Sequence, residues 1–233
     1  GEFAHNDPSS YDIARMTDRD KQEIIAAYYA MVELIDKQVG RMVVALEETG
    51  QLDNTIVIFM SDHGEMLGDH GFYLKGPHFY DEAVRVPLIF SWKERFAADL
   101  RADCLMELID IAPTLLEAAS IETPEYIQGR SMMPILLGQA NASHHRDYVF
   151  SEYYNAWTHK HSYGSMLRTR DQKIVVYHGT DQGELYDLKN DPDEFENLWS
   201  AREHAELKLR LMKACFDASV FTMDPSPPRL GAF

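Results

Sequence analysis

The chain has 233 residues, with 22 Lys+Arg against 38 Asp+Glu and a formal net charge of −16. This acidity, with no basic run, argues against a nucleic-acid partner, whose phosphates need clustered cations, and against an anionic membrane surface. Hydrophobic residues at 45% and charged residues at 26% describe an ordinary globular chain that can bury a core; an anionic substrate would need its positive charge from a metal or a few local cations.

Residues 1–16, rich in Pro, Ser, Asn and Asp, read as an irregular lead-in or a cloning remnant. Gly1-Glu2-Phe3-Ala4-His5 lacks the basic start and apolar stretch of a secretory signal, and the compartment stays open between cytoplasm and periplasm. Thr17 followed by Asp20 resembles a capping box. Ile24, Tyr28, Met31, Ile35, Val39, Met42 and Leu46 then recur every three or four residues, one face of a long amphipathic helix that stops at Gly50.

Thr55-Ile56-Val57-Ile58-Phe59-Met60 is a continuous, largely β-branched apolar run and predicts a strand buried on both faces of a parallel sheet. A polar, glycine-punctuated loop follows from Ser61 to about Tyr80, and Val86–Phe90 reads as a second strand. Cys104–Ile109 is a short apolar segment compatible with strand or helix. Asp110, with Pro113 in the first turn, predicts a capped helix to about Ala119, then a loop and a short helix near Pro134–Leu137. Tyr148–Tyr154, Ser165–Thr169, Lys173–Tyr177 and Glu184–Leu188 predict a small antiparallel sheet. A helix over about Ser200–Ala218 and a Pro-rich tail from Asp224 complete the chain. The segments are therefore 1–16, an α/β part over 17–140, an antiparallel α+β subdomain over 141–223, and a tail over 224–233. No apolar run approaches the roughly 20 residues of a membrane span. Two cysteines, Cys104 and Cys215, are too few for a disulfide framework.

The chemistry gathers at Ser61-Asp62-His63-Gly64, directly after the apolar run. In open α/β sheets ligands bind beyond the carboxyl ends of strands. A carboxylate and an imidazole side by side suit a divalent cation, and Gly64 permits a sharp turn. Two adjacent ligands do not complete a site; the plainer reading makes Asp62 a turn cap and His63 a polar loop residue. His144-His145 and His159-Lys160-His161 lack the helical i, i+4 spacing of a zinc pair and read as surface histidines.

The next residues shift that balance. Asp62-His63-Gly64-Glu65-Met66-Leu67-Gly68-Asp69-His70-Gly71-Phe72-Tyr73-Leu74-Lys75, continuing through Gly76 to Pro87 with Glu82 and Arg85-Val86-Pro87, resembles the sulfatase and phosphonate monoester hydrolase family of the alkaline phosphatase superfamily. Ala27–Val32 with Asp36 and Val39-Gly40-Arg41 is similar to the helix those enzymes carry before the metal strand. Asp110-Ile111-Ala112-Pro113-Thr114-Leu115-Leu116 and Gly129-Arg130-Ser131 with Pro134 are similar to their next helix and loop. Glu184–Leu188, Asp191-Pro192 and Glu196-Asn197-Leu198 resemble their closing subdomain. The resemblance runs over about residues 20–200. It implies part of an alkaline phosphatase-like α/β sandwich with a small C-terminal antiparallel β subdomain plus helix.

The resemblance also implies roles. Asp62 and His63 would ligate a divalent metal, calcium first, with manganese or magnesium as alternatives. Lys75 would contact the transferred sulfate or phosphate group and act in catalysis. His78 is a candidate to line the same pocket or assist the leaving group, and His70 to orient Asp62 or a metal ligand, although a loop histidine is more often just structural.

The family's nucleophile is a Cys or Ser in Cys/Ser-x-Pro-x-Arg, converted to formylglycine. Cys104, followed by Leu105-Met106-Glu107, and Cys215, followed by Phe216-Asp217-Ala218, do not fit, and no serine does. The family's amino-terminal metal-binding aspartates and upstream histidine are missing as well. The expectation is the C-terminal part of a metal-dependent sulfatase whose formylglycine lies upstream, acting on a small-molecule sulfate ester. The alternatives are phosphonate monoester or phosphodiester hydrolysis, which His63 in place of the commoner Asn keeps open, and a non-catalytic binding protein of this fold. The isolated chain is expected to hydrolyse no ester, and an exposed truncation surface to favour self-association.

Overall fold

In the computed structural model, which describes residues 15–154 and 162–222, helix α1 spans Asp18–Glu48. The tail from Asp224, the lead-in through residue 14 and the His159/His161 pair lie outside the described residues. Thr17 and Asp20 form the expected capping box: each side chain takes the other's backbone N–H, at 3.2 and 2.7 Å. The far end closes in a Schellman motif, with Gln51 N–H on Leu46 O and Gly50 N–H on Glu47 O. Gly50 sits there at φ +67°, where a side chain would be strained. None of the α1 residues is buried; Tyr29, Met31, Leu34, Ile35 and Met42 are all at least half exposed.

Two compact units divide between Ala97 and Ala98. In the first, β1 (Val57–Met60) pairs with β2 (Leu88–Ser91) in the register Val57↔Ser91 to Met60↔Leu88. That pairing is antiparallel, and β1 is only half buried, which corrects the expected strand buried on both faces of a parallel sheet. The reason lies in the connection. Residues 61–87 hold a 3₁₀ turn at Asp69–Gly71 and one short α-helix, α2 (Asp81–Val84), and fold back on themselves through Gly64 N–H to Ala83 O and Met66 N–H to Leu74 O. The chain therefore re-enters beside the end of β1 it left, without the crossover that a parallel partner requires.

The second unit contains α3 (Ile111–Ala118), α4 (Met133–Leu136), β3 (Val149–Tyr154), β4 (Tyr163–Arg168), β5 (Gln172–Tyr177), β6 (Gly183–Asp187) and α5 (Ala205–Phe221). Residues 98–140 thus share a unit with the antiparallel sheet. The four strands form a meander in the order β3-β4-β5-β6, as the alternating segments predict. Leu167 lies opposite Ile174, and Ile174 opposite Leu185, so one apolar row crosses three strands. Helix α5 sets Leu211, Cys215 and Ala218, at helical spacing, against that row. Asn197 Oδ1 accepts the N–H groups of Leu185 (3.1 Å) and Trp199 (2.9 Å), tying the Glu196-Asn197-Leu198 segment to β6.

Asp110 does not cap α3 as its position predicts. Its own backbone is already helical. The fully buried carboxylate accepts the N–H groups of Glu107 (2.9 Å) and Arg130 (2.7 Å) and pairs with Arg146. Arg146 also pairs with Glu107, whose other oxygen accepts Phe150 N–H at 2.6 Å. His145 Nε2 stands 3.4 Å from Asp110, its side chain 9% exposed, so it is not the surface residue its polarity predicts; His144 is exposed. Burial holds the Glu107 carboxyl above its ordinary range and the His145 imidazole below its own. Cys104–Ile109 is irregular up to the 3₁₀ turn at Leu108–Asp110 because this segment serves the charge cluster.

Removing Arg146 would strand two buried carboxylates. We expect Arg146→Ala to lower the stability of the chain by about 3–5 kcal/mol in urea unfolding, with Arg146→Lys restoring only part of it. A loss below about 1 kcal/mol would assign the cluster a minor role.

Candidate active site

The turn after β1 is closed by short bonds within its own sequence. Ser61 Oγ–H donates to His63 O (2.7 Å), and His63 N–H donates to Asp62 Oδ1 (3.0 Å). Gly64 then passes against α2: its N–H donates to Ala83 O (2.8 Å), and a Cβ added to it would lie 1.8 Å from Glu82 O. The glycine is required by close approach of two backbones.

His63 Nδ1 lies 2.7 Å from Gly64 O. A carbonyl only accepts, so Nδ1 carries the proton and Nε2 keeps its lone pair. That nitrogen stands 2.5 Å from Lys75 Nζ, which donates to it, and 3.7 Å from Asp62 Oδ1. The fold thus brings Asp62, His63 and Lys75 to one point across twelve residues of loop. The Asp62 side chain is 83% exposed and that of His63 39%, so the point is open.

The loop between them is anchored by Met66 and Phe79, both buried. Glu65 Oε1 accepts the N–H groups of Leu67 (3.1 Å) and Leu74 (2.5 Å). Glu65 carries no distinctive spacing signal; a carboxylate inside a glycine-punctuated loop, next to a ligand-type pair, is the only hint of a structural duty. The other predicted histidines stand in an aromatic group. His70 stacks on Tyr80 at 3.9 Å between ring centroids, with Nε2 3.9 Å from Glu82 Oε2. His78 stacks on Phe72 at 4.8 Å. This places His70 beside Tyr80 and Glu82.

Asp62 and His63 offer an oxygen and a nitrogen 3.7 Å apart, a span that two donors can subtend on one ion at bond lengths of about 2.0–2.6 Å. The donor types and their separation fit part of a divalent-cation shell. Among the described residues no group of three or more His, Cys, Asp or Glu could hold a metal ion. Burial raises the Cys104 thiol and pushes Cys215 up to about 11. Both are protonated at neutral pH and are poor nucleophiles.

The fold is of the alkaline phosphatase-like class, as similar solved structures show. One, in complex with its substrate D-glucosamine-2-N,6-O-disulfate, has a TM-score of 0.79 and 31% identity, covering 91% of this chain and 43% of that one. The phosphonate monoester hydrolase of Silicibacter pomeroyi has a TM-score of 0.83 and 27% identity, covering 94% of this chain and 46% of that one. The sulfatase signature matches residues 2–121, and that of the N-sulphoglucosamine sulphohydrolase C-terminal region matches residues 68–219. The chain belongs to the sulfatase family. It is 34% identical over 199 residues to the N-acetylglucosamine-6-O-sulfatase of Bacteroides thetaiotaomicron, covering 82% of this chain and 35% of that protein. It therefore spans about a third of that relative's length and less than half of the two solved chains.

A methyl group at Gly64 must displace the Glu82 carbonyl. We expect Gly64→Ala to cost about 1–3 kcal/mol in urea unfolding and to change the ring resonances of His63. An unfolding midpoint and a His63 spectrum like those of the parent chain would show that the contact is dispensable.

Proposed function

We propose that Asp62, His63 and Lys75 belong to the active site of a metal-dependent hydrolase of sulfuric esters. The observation that supports this most is the convergence of Lys75 Nζ on His63 Nε2 at 2.5 Å, with Asp62 Oδ1 3.7 Å from the same nitrogen. Nε2 has one lone pair, so a cation taken up there would replace the Lys75 hydrogen bond and leave the ammonium to an anion alongside. This meets the requirement set by a net charge of −16, that local groups must supply the positive charge for an anionic ester.

In this reading Asp62 and His63 hold the divalent ion, calcium first, with manganese or magnesium as alternatives. Such an ion supplies neutralisation of the ester's nonbridging oxygens. Lys75 places a second positive charge where charge develops in the transition state, a contribution of roughly 10²–10³ in rate. His78 is a candidate for the leaving-group side, and His70 for orienting Asp62 or a metal ligand. No Cys or Ser of the 233 residues stands in Cys/Ser-x-Pro-x-Arg, so the formylglycine nucleophile of this reading comes from sequence beyond them. The substrate is a small-molecule sulfate ester. A sulfated amino sugar is the first candidate, because one relative is an N-acetylglucosamine-6-O-sulfatase and a similar structure holds a glucosamine disulfate.

Hydrolysis of phosphonate monoesters or phosphodiesters is the second reading, favoured by the likeness to a phosphonate monoester hydrolase at a TM-score of 0.83. No described helix is long and apolar enough to cross a membrane. The exposed apolar side chains of α1 support self-association of the isolated chain.

We expect the isolated chain to turn over neither p-nitrophenyl sulfate nor phenylphosphonate esters. A longer polypeptide carrying this chain behind a formylglycine segment should prefer the sulfate and lose about 10²–10³-fold in kcat on Lys75→Ala. Turnover by the isolated chain, or a Lys75→Ala enzyme of undiminished kcat, would sink the proposal; a preference for the phosphonate would install the second reading.

A further inference from the structure

We propose that Glu65 is a positioning residue for Lys75, holding a strained loop so that the ammonium is kept beside the Asp62/His63 pair; the inference rests on the reading of Asp62, His63 and Lys75 as an active site. Between Glu65 and Lys75 three residues other than glycine adopt left-handed backbone: Leu67 (φ 47°), His70 (φ 52°) and Leu74 (φ 64°). Each such residue costs free energy and persists only where its surroundings impose it. Leu74 matters most, because its conformation sets the direction in which the chain enters Lys75.

The two strained leucines, one near each end of the loop, are the two whose N–H groups a single oxygen accepts. Glu65 Oε1 takes Leu67 N–H at 3.1 Å and Leu74 N–H at 2.5 Å. An ionised acceptor strengthens both bonds. Glu65 itself is held by rigid neighbours: Gly64, locked against α2 through Ala83 O, and Met66, fully buried. The links close into a ring. His63 runs by chain to Glu65, the Glu65 carboxylate reaches Leu74 N–H, and Lys75 Nζ returns to His63 Nε2 at 2.5 Å.

A lysine on a free loop would spend little time at any one point, because four rotatable side-chain bonds add to the motion of its backbone. Fixing its base removes the backbone part of that freedom, and the gain falls on orientation of the charge. The carboxylate acts through Lys75 and touches no reacting group.

The test compares Glu65→Ala and Glu65→Gln in the full chain by amide hydrogen exchange and by the ring 15N resonances of His63. For Glu65→Ala we expect Leu74 and Leu67 amides to exchange at least about tenfold faster, and the His63 Nε2 resonance to lose the signature of its bond to Lys75. Ile174 and Leu185 amides, in the four-stranded sheet, should stay protected, which shows that the fold persists. Glu65→Gln keeps an oxygen at the same reach and should restore most of both signals. Unchanged Leu74 exchange in Glu65→Ala, or a Glu65→Gln chain as loose as Glu65→Ala, would overturn the proposal. Should Glu65→Ala not fold, Glu65→Gln decides alone: a parent-like His63 spectrum supports the role and a free-imidazole spectrum overturns it. Neither readout requires ester hydrolysis, so an error in the assigned reaction leaves this test standing.

Discussion

One proton position governs the candidate site. The Gly64 carbonyl, 2.7 Å from His63 Nδ1, fixes the hydrogen on that nitrogen and turns the Nε2 lone pair toward Asp62 and Lys75. With the other tautomer, Nε2 would carry a hydrogen, repel the Lys75 ammonium and offer nothing to a cation. The carbonyl can do this only because Gly64 has no side chain: its backbone lies so close to Glu82 that a Cβ would overlap the carbonyl oxygen. A chain of causes therefore runs from one missing methyl group, through a turn, to the electronic state of an imidazole.

The same economy appears in the second unit, where charges are buried only in company. Asp110 and Glu107 pair with Arg146 and accept three backbone N–H groups, and so join the start of α3, the 130 loop and the first residues of β3. Lys173, on β5, and Glu194 form a second buried pair at 2.5 Å. Unpaired, any of these groups would cost far more than the pairs return, so they act as specifications of geometry. The first unit is built differently. Its long helix leaves many apolar side chains exposed among the described residues, while the site loop is held by local hydrogen bonds and two buried anchors.

Much of this was legible in residue order. The Thr17/Asp20 box, the period of α1 and Gly50 located the helix within a residue or two, and four alternating segments located the meander. Asp62, His63 and Lys75 were legible as a group only through family resemblance, since the eleven residues between His63 and Lys75 hide their approach. The errors share a cause: local pattern was overridden by partners distant in sequence. The apolar run at 55–60 speaks for burial but says nothing of a connection that doubles back and makes the pairing antiparallel. Asp110 has the composition of a helix cap, yet Arg130 and Arg146 claim its carboxylate. His145 looks like a surface residue beside His144 until Asp110 approaches it. The duty of Glu65 rests on backbone angles at Leu67 and Leu74 that no residue type there announces.

The most direct test of the account is a titration of the chain with Mn²⁺, followed by paramagnetic broadening of side-chain resonances. We expect His63 ring and Asp62 resonances to broaden first, together with the Lys75 side chain, while His178 and His204 stay sharp. Broadening that begins elsewhere, or a His63 ring found with its proton on Nε2, would contradict the claim that this imidazole and this carboxylate face a shared cation.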